Sequence, residues 1–122
     1  MEYRRYTELN VWIEARKLVA NIYEVTGNYP KEELFGLVNQ LRRCAVSIPS
    51  NIGEGCGRNT KKDSLQFFYI ARGSLYELET QIYLSYDLNY ISKITLQELL
   101  DKLEVVRKLL SGFIRYFNTD NS

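Results

Sequence analysis

The chain has no histidine in its 122 residues. That removes the commonest general base at neutral pH, the usual catalytic triads and most zinc sites. Carboxylates alone would have to carry any catalysis, so a non-enzymatic protein is expected. Cysteine occurs twice, at Cys44 and Cys56, too few for a metal site without histidine partners. If the segment between them is helical, it holds them roughly 18 Å apart, beyond disulfide reach. No window approaches the ~20 apolar residues that a bilayer span needs. Met1-Glu2-Tyr3-Arg4-Arg5 is followed by polar residues rather than the apolar run of a secretory signal, so a cytoplasmic protein with no membrane partner is expected. An excess of one charge is missing too: 16 Lys and Arg face 15 Asp and Glu. No global field draws such a molecule to nucleic acid, and any affinity of that kind must come from local clustering.

What is present is helical periodicity, with no sustained strand alternation, linker or repeat. The spacing predicts a single domain over residues 1–122 with helices at about 9–26, 31–56, 61–88 and 96–117. In the first, Val11, Ala15, Leu18 and Ile22 form one stripe, which Gly27 caps and Pro30 stops. In the second, Leu34, Val38, Leu41, Ala45, Ile48 and Ile52 alternate by four and three, a narrow seam that runs straight through Pro49. Pro49 is therefore read as a kink inside one helix. The third helix opens on a capping box from Thr60 to Asp63, and the fourth on one from Thr95 to Glu98. Short connections predict an all-α, antiparallel up-down-up-down four-helix bundle.

The stretch QLRRCAVSIPSNIGEGCGRNTKK, from Gln40 to Lys62, interrupts this regularity. As a phosphate loop it fails, because Gly53-Glu54-Gly55-Cys56-Gly57 lacks both a following Lys-Ser/Thr and a preceding strand, and Glu54 would repel phosphate. No cofactor and no metal are expected. Structurally, small residues such as Ala45, Ser47, Ser50 and Gly53 let a neighbouring helix approach closely. Ser47, Ser50 and Asn51 are expected to satisfy backbone groups freed by Pro49, and Gly55 and Gly57 to end the helix with positive φ. In charge, Arg42, Arg43, Arg58, Lys61 and Lys62 stand against Glu54 alone before Asp63. These five and Arg72 are candidate contacts to phosphate or a partner, with Arg42 and Arg43 expected to reach outward. The competing reading is a solvated face with Arg43 or Arg72 paired to Glu54 or Glu79. Arg4-Arg5, Arg16-Lys17 and Arg107-Lys108 would extend a basic patch if the fold gathers them. Tyr76, Tyr83, Tyr86 and Tyr90, spaced by seven, three and four, suit a subunit interface more than base stacking.

Val11-Trp12 with Ala15, the run from Phe35 to Arg58, and FFYIARGSLYELETQ from Phe67 to Gln81 together resemble the 23S rRNA-intervening-sequence protein family. They are also similar to the accessory variability protein of diversity-generating retroelements. The likeness covers essentially the whole chain, with alanine usual where this sequence has Cys44 and Gly53. It implies a small bacterial four-helix bundle that assembles as a cyclic homopentamer with a partly basic surface, and it carries no catalytic residues. The retroelement relative binds its reverse transcriptase and nucleic acid. The expectation is thus a homo-oligomer that binds structured RNA or DNA, or a ribonucleoprotein, through a repeated basic surface. The alternative is a scaffold for a protein partner such as a polymerase, without nucleic-acid contact.

Overall fold

A computed structural model describes residues 5–119; Arg4 lies outside them, as do residues 120–122 of the polar tail, Asn118 to Ser122, that the sequence suggests is frayed. Among the described residues there are four α-helices and no strand: α1 (Asn10–Thr26), α2 (Leu37–Cys56), α3 (Lys61–Asp87) and α4 (Lys93–Thr119). Each helix packs on its neighbour in sequence, and α1 closes against α4. Contacts between ends give the antiparallel sense. Arg42 near the start of α2 reaches Thr26 at the end of α1, Gly55 at the end of α2 abuts Ser64 at the start of α3, and Lys61 at the start of α3 approaches Asn118 at the end of α4.

The core is the set of stripes read from the sequence: Val11, Ala15, Leu18 and Ile22 from α1, and Val38, Leu41, Ala45, Ile48 and Ile52 from α2, all almost fully enclosed. Leu75, Leu78 and Ile82 of α3 and Leu99, Leu103, Val106 and Leu110 of α4 complete it. Near one end Phe68 is wholly buried, with Phe113 and Phe117 edge-on to it at ring-centre distances of 5.0 and 5.2 Å. Edge-to-face aromatic packing of this kind adds to the area it buries.

Several boundaries differ from the sequence expectation, each for a local reason. Lys31–Glu33 forms a separate 3-10 turn, and α2 begins only at Leu37. Gly36 breaks the path, with ψ at −111°. A Cβ at position 36 would also lie 2.8 Å from Glu33 Oε1, which accepts the Leu37 amide at 3.0 Å. The α4 cap is Ser92, whose Oγ accepts the Thr95 amide at 3.1 Å, so the helix starts before the predicted Thr95 cap. Thr60 does cap α3, its Oγ1 accepting from the Asp63 amide. No glycine has positive φ: α2 ends with Gly57 at φ −92°, closed by ordinary turn hydrogen bonds. The left-handed residue is Asn89 (φ 65°), which ends α3. The Tyr90 amide there reaches the Ser85 carbonyl, and the Asn89 amide the Tyr86 carbonyl, the paired bonds of a Schellman cap.

Candidate nucleic-acid and subunit interfaces

Pro49 lies inside α2, and the small residues around it serve two different seams. Towards α3, the Cys44 thiol meets the Ser74 carbonyl at 3.1 Å, and the Ser47 and Ser74 hydroxyls meet at 2.8 Å. Gly55 lies flat on Phe68 and on the Ser64 carbonyl, where an added Cβ would come within 2.5 and 2.9 Å. The Asn51 amide donates to the Ser47 carbonyl at 2.8 Å, but the carbonyl that Pro49 leaves without its helical donor is that of Ala45, so this is not the bond expected. Ser47 is taken by Ser74 instead, and Ser50 faces outward into a groove. Burial beside the Glu77 carboxylate pushes the Cys44 thiol up to about 12, so it stays protonated and is a poor nucleophile.

Towards α1, the same helix leaves an open groove of about 770 Å³, lined by Tyr6, Trp12, Arg16, Val46, Pro49 and Ser50 among others. Tyr6 stands edge-on to Trp12 at 5.4 Å, and the Arg16 guanidinium lies over the indole at 5.4 Å. Val46 continues the groove into a second hollow of about 440 Å³, bounded by Tyr23, Leu34, Phe35 and Arg43. Phe35 is 90% exposed.

The candidate cations divide by what they touch. Arg42 does not reach outward: its Nε donates to Thr26 Oγ1 at 2.9 Å, it approaches the Tyr23 carbonyl, and it stacks 4.6 Å over the Tyr23 ring. The cause is the C-terminus of α1, whose negative dipole end attracts a guanidinium. Arg58 pairs with Glu54 at 2.6 Å and lies over Phe67 at 4.5 Å, both partly in solvent. Arg72 lies over Tyr69 at 5.0 Å. Arg43, Lys62 and Arg72 are exposed. Among the described residues, neither Arg43 nor Arg72 has a carboxylate partner, and Glu54 is instead held by Arg58.

The fold then gathers what the linear sequence disperses. Cut at the helix midpoints, the half-bundle of residues 5–18, 47–74 and 107–119 holds ten Lys and Arg against four Asp and Glu. The other half, residues 19–46 and 75–106, holds five against nine. Arg58, Lys61, Lys62 and Arg72 all fall at the basic pole, whereas Arg42 and Arg43 lie in the acidic half. Arg115 joins the basic set, lining a surface hollow with Tyr69, Arg72 and Asn118. Sequence reading missed Arg115 because it is isolated near the end of α4; the antiparallel return of that helix beside the start of α3 brings it in.

The tyrosines separate as well. Tyr76 and Tyr83 are about half exposed on α3, and Tyr86 somewhat less. Tyr69, seven residues before Tyr76, continues their stripe and was not among the sequence candidates. Tyr90 is engaged within the fold: its hydroxyl donates to Glu33 Oε2 at 2.7 Å, and its ring packs on Tyr29 at 5.2 Å. The Leu37 amide and the Tyr90 hydroxyl hold the Glu33 carboxyl below its ordinary range, and the same contact raises Tyr90. Among the described residues, Gln81 Oε1 is buried without a hydrogen-bond partner.

Comparison with known proteins places the chain by fold. The model of the 23S rRNA-intervening sequence proteins matches residues 7–112. A crystal structure of a protein of unknown function from the S23 ribosomal protein family, from Bacteroides thetaiotaomicron, superposes with a TM-score of 0.76 at 22% identity. The match covers 85% of this chain and 97% of that one. No curated protein matches.

Proposed function

The chain belongs to the 23S rRNA-intervening sequence protein family, and from its basic pole we propose that it is a non-enzymatic, homo-oligomeric, cytoplasmic protein that binds structured RNA or DNA, or a ribonucleoprotein, through phosphate neutralisation. The observation that carries this is the charge separation. A net charge of +1 conceals an end of the bundle where cations outnumber acids by ten to four. A pole of that kind attracts polyanions irrespective of the molecule's net charge. Arg58, Lys61, Lys62 and Arg72 are the contact residues proposed, with Arg115 added. The Arg58–Glu54 pair is solvent-facing and worth little by itself, so Arg58 can exchange its carboxylate for phosphate. In a ring of five, the assembly the family resemblance implies, five modest basic poles act together and gain effective concentration. A bend of α2 at Pro49 belongs to the same reading, since the proline ring displaces the carbonyl four residues earlier.

A second reading, a scaffold for a protein partner such as a polymerase, draws on Ile70, Leu84 and Leu88. These stand about half exposed on one outward stripe of α3. Fluorescence anisotropy of labelled structured RNA and duplex DNA separates the two. Affinity of the wild-type protein should fall roughly tenfold or more between 50 and 200 mM salt. A Lys62→Glu/Arg72→Glu variant of unchanged mass should lose the salt-sensitive component. Absence of binding at low salt by the intact protein rejects the nucleic-acid reading and leaves the scaffold in front.

A further inference from the structure

The upper, acidic half of the molecule carries two surfaces that fit one another. One is the hollow between α1 and α2. Leu34 is 49% exposed, Phe35 90%, Val46 39% and Tyr23 44%, and the charged residues lining it are Arg42 and Arg43, with no carboxylate. Arg42 is occupied by the end of α1, which leaves Arg43, among the described residues, as a cation without a carboxylate partner. The other surface is the outward stripe of α4. Ile94, Glu98, Asp101 and Val105 recur at intervals of four, three and four, so they share one helical face. Ile94 is 73% exposed and Val105 47%, and the two acids between them are exposed. An apolar–acid–acid–apolar ridge thus stands on the same molecule as an apolar hollow rimmed by arginine.

The two surfaces also match in height. Measured from each helix midpoint at 1.5 Å per residue, Val105 and Val46 both lie within about 2 Å of the middle of the bundle. Arg43 lies about 5 Å above it and Asp101 about 7 Å, while Ile94 lies about 18 Å above it, near the end of the bundle where Leu34 and Phe35 precede α2. A rotation about an axis parallel to the bundle therefore brings like heights together without any slide along the axis. Just below the middle, Arg16 lines the groove and Lys108 continues the α4 face. There both surfaces are cationic and the fit ends.

We infer that a second copy of this chain docks the Ile94–Glu98–Asp101–Val105 ridge of its α4 into the α1/α2 hollow around Phe35, Arg43 and Val46. The contact is head-to-tail, joining two different surfaces, and repeating it by rotation closes a ring. Because it is confined to the acidic half, it leaves every basic pole open. The inference rests on the proposed homo-oligomer and names the surfaces that build it.

Charge exchange tests it, with light-scattering mass read after gel filtration and circular dichroism confirming the fold. Wild-type protein runs as a multimer of its 14.3 kDa chain. Arg43→Glu and Asp101→Arg, each alone, shift it to monomer, and the two combined restore the multimer. Phe35→Ser, at a side chain that is 90% exposed, weakens assembly about tenfold or more. A multimer that survives both single exchanges, or a combination that fails to restore it, overturns this interface while the oligomeric reading stands. A monomeric wild type overturns both. Nucleic-acid binding measured on the same samples loses only the avidity that the ring adds, since Arg43 and Asp101 lie outside the basic pole.

Discussion

Helix α2 presents two seams that differ in kind although they are made from the same run of residues. Its α3 side is closed: Ser47 meets Ser74, Cys44 meets the Ser74 carbonyl, and Gly55 leaves no room for a methyl group beside Phe68. Its α1 side is open, with a groove of about 770 Å³ where Pro49, Ser50 and Gly53 face Tyr6, Trp12 and Arg16. Small side chains draw a neighbouring helix in only where that neighbour is also small or flat. Ser64, Ala71 and Ser74 of α3 meet that condition, each buried. The α1 residues opposite the groove are Trp12, Arg16 and Val19, and bulk there holds the two helices apart. A stretch that reads as one motif thus performs a packing task on one side and leaves an open groove on the other.

The sharpest way to break the comparison is to put the same methyl group on each seam. On the closed side, Gly55→Ala would set a Cβ 2.5 Å from the Phe68 ring and 2.9 Å from the Ser64 carbonyl. The ring is fully buried between Phe113 and Phe117, and the carbonyl is backbone, so neither can move away cheaply. Overpacking of this type costs about 1–3 kcal/mol, partly offset by the better helix propensity of alanine, about 1 kcal/mol. Overlaps this far under 3 Å put the cost at the upper end of that range, so a net loss of about 2 kcal/mol in urea denaturation is expected. Wild-type stability in this variant would show that α2 and α3 can separate, and the closed-seam account would fail.

The extent to which the sequence revealed this depends on whether a feature is local or made by the fold. The apolar stripes and the seam running through Pro49 were legible because burial imposes a helical period on residues a few positions apart. Helix ends were less so. Ser92 rather than Thr95 caps α4 because two hydroxyls compete within four residues, and Gly36 divides a pattern that Leu34 and Val38 make look continuous. The basic pole was half legible: Arg58, Lys61 and Lys62 are neighbours in sequence, but Arg115 joins them only through the return of α4. Arg42 and Tyr90 were misjudged for one reason. Both have polar tips that the sequence places at the surface, and both tips find partners on another element: the end of α1 for Arg42, and Glu33 for Tyr90. Partners so far away in sequence leave no periodic trace.

Arg42 therefore sharpens the comparison from the open side. Its contacts to Thr26 and Tyr23 are the polar link between α1 and α2 above the groove. Replacement by alanine removes a cation from the negative end of α1 and a hydrogen bond from Thr26, a buried residue whose hydroxyl already donates to the Ile22 carbonyl at 2.6 Å. A loss of about 1–2 kcal/mol is expected, less than at Gly55 because the site is partly solvated. Thermal or urea denaturation of Arg42→Ala checks it. A null result would make Arg42 a surface residue again and return it to the candidate phosphate contacts. The same prediction warns that a variant at Arg42 confounds lost binding with lost stability, whereas Arg43, Lys62 and Arg72 do not carry that ambiguity.

The smallest effect is expected from the matching substitution on the open seam. In Gly53→Ala the new Cβ would meet the Tyr6 ring at 3.2 Å. Tyr6 is 40% exposed and precedes α1 on a short turn, so it can give by a few tenths of an ångström where Phe68 cannot. The gain from replacing glycine inside a helix, about 1 kcal/mol, is then only partly kept. The net change should lie within about 0.5 kcal/mol of zero, on the stabilising side, once that adjustment is deducted. The groove should nonetheless register it: Trp12, the single tryptophan, lies edge-on to Tyr6, so its emission should shift in Gly53→Ala and stay unchanged in Gly73→Ala, where nothing lies within 4 Å of the added methyl. A Gly53→Ala penalty as large as that of Gly55→Ala would mean that the α1 seam is as tightly closed as the α3 seam.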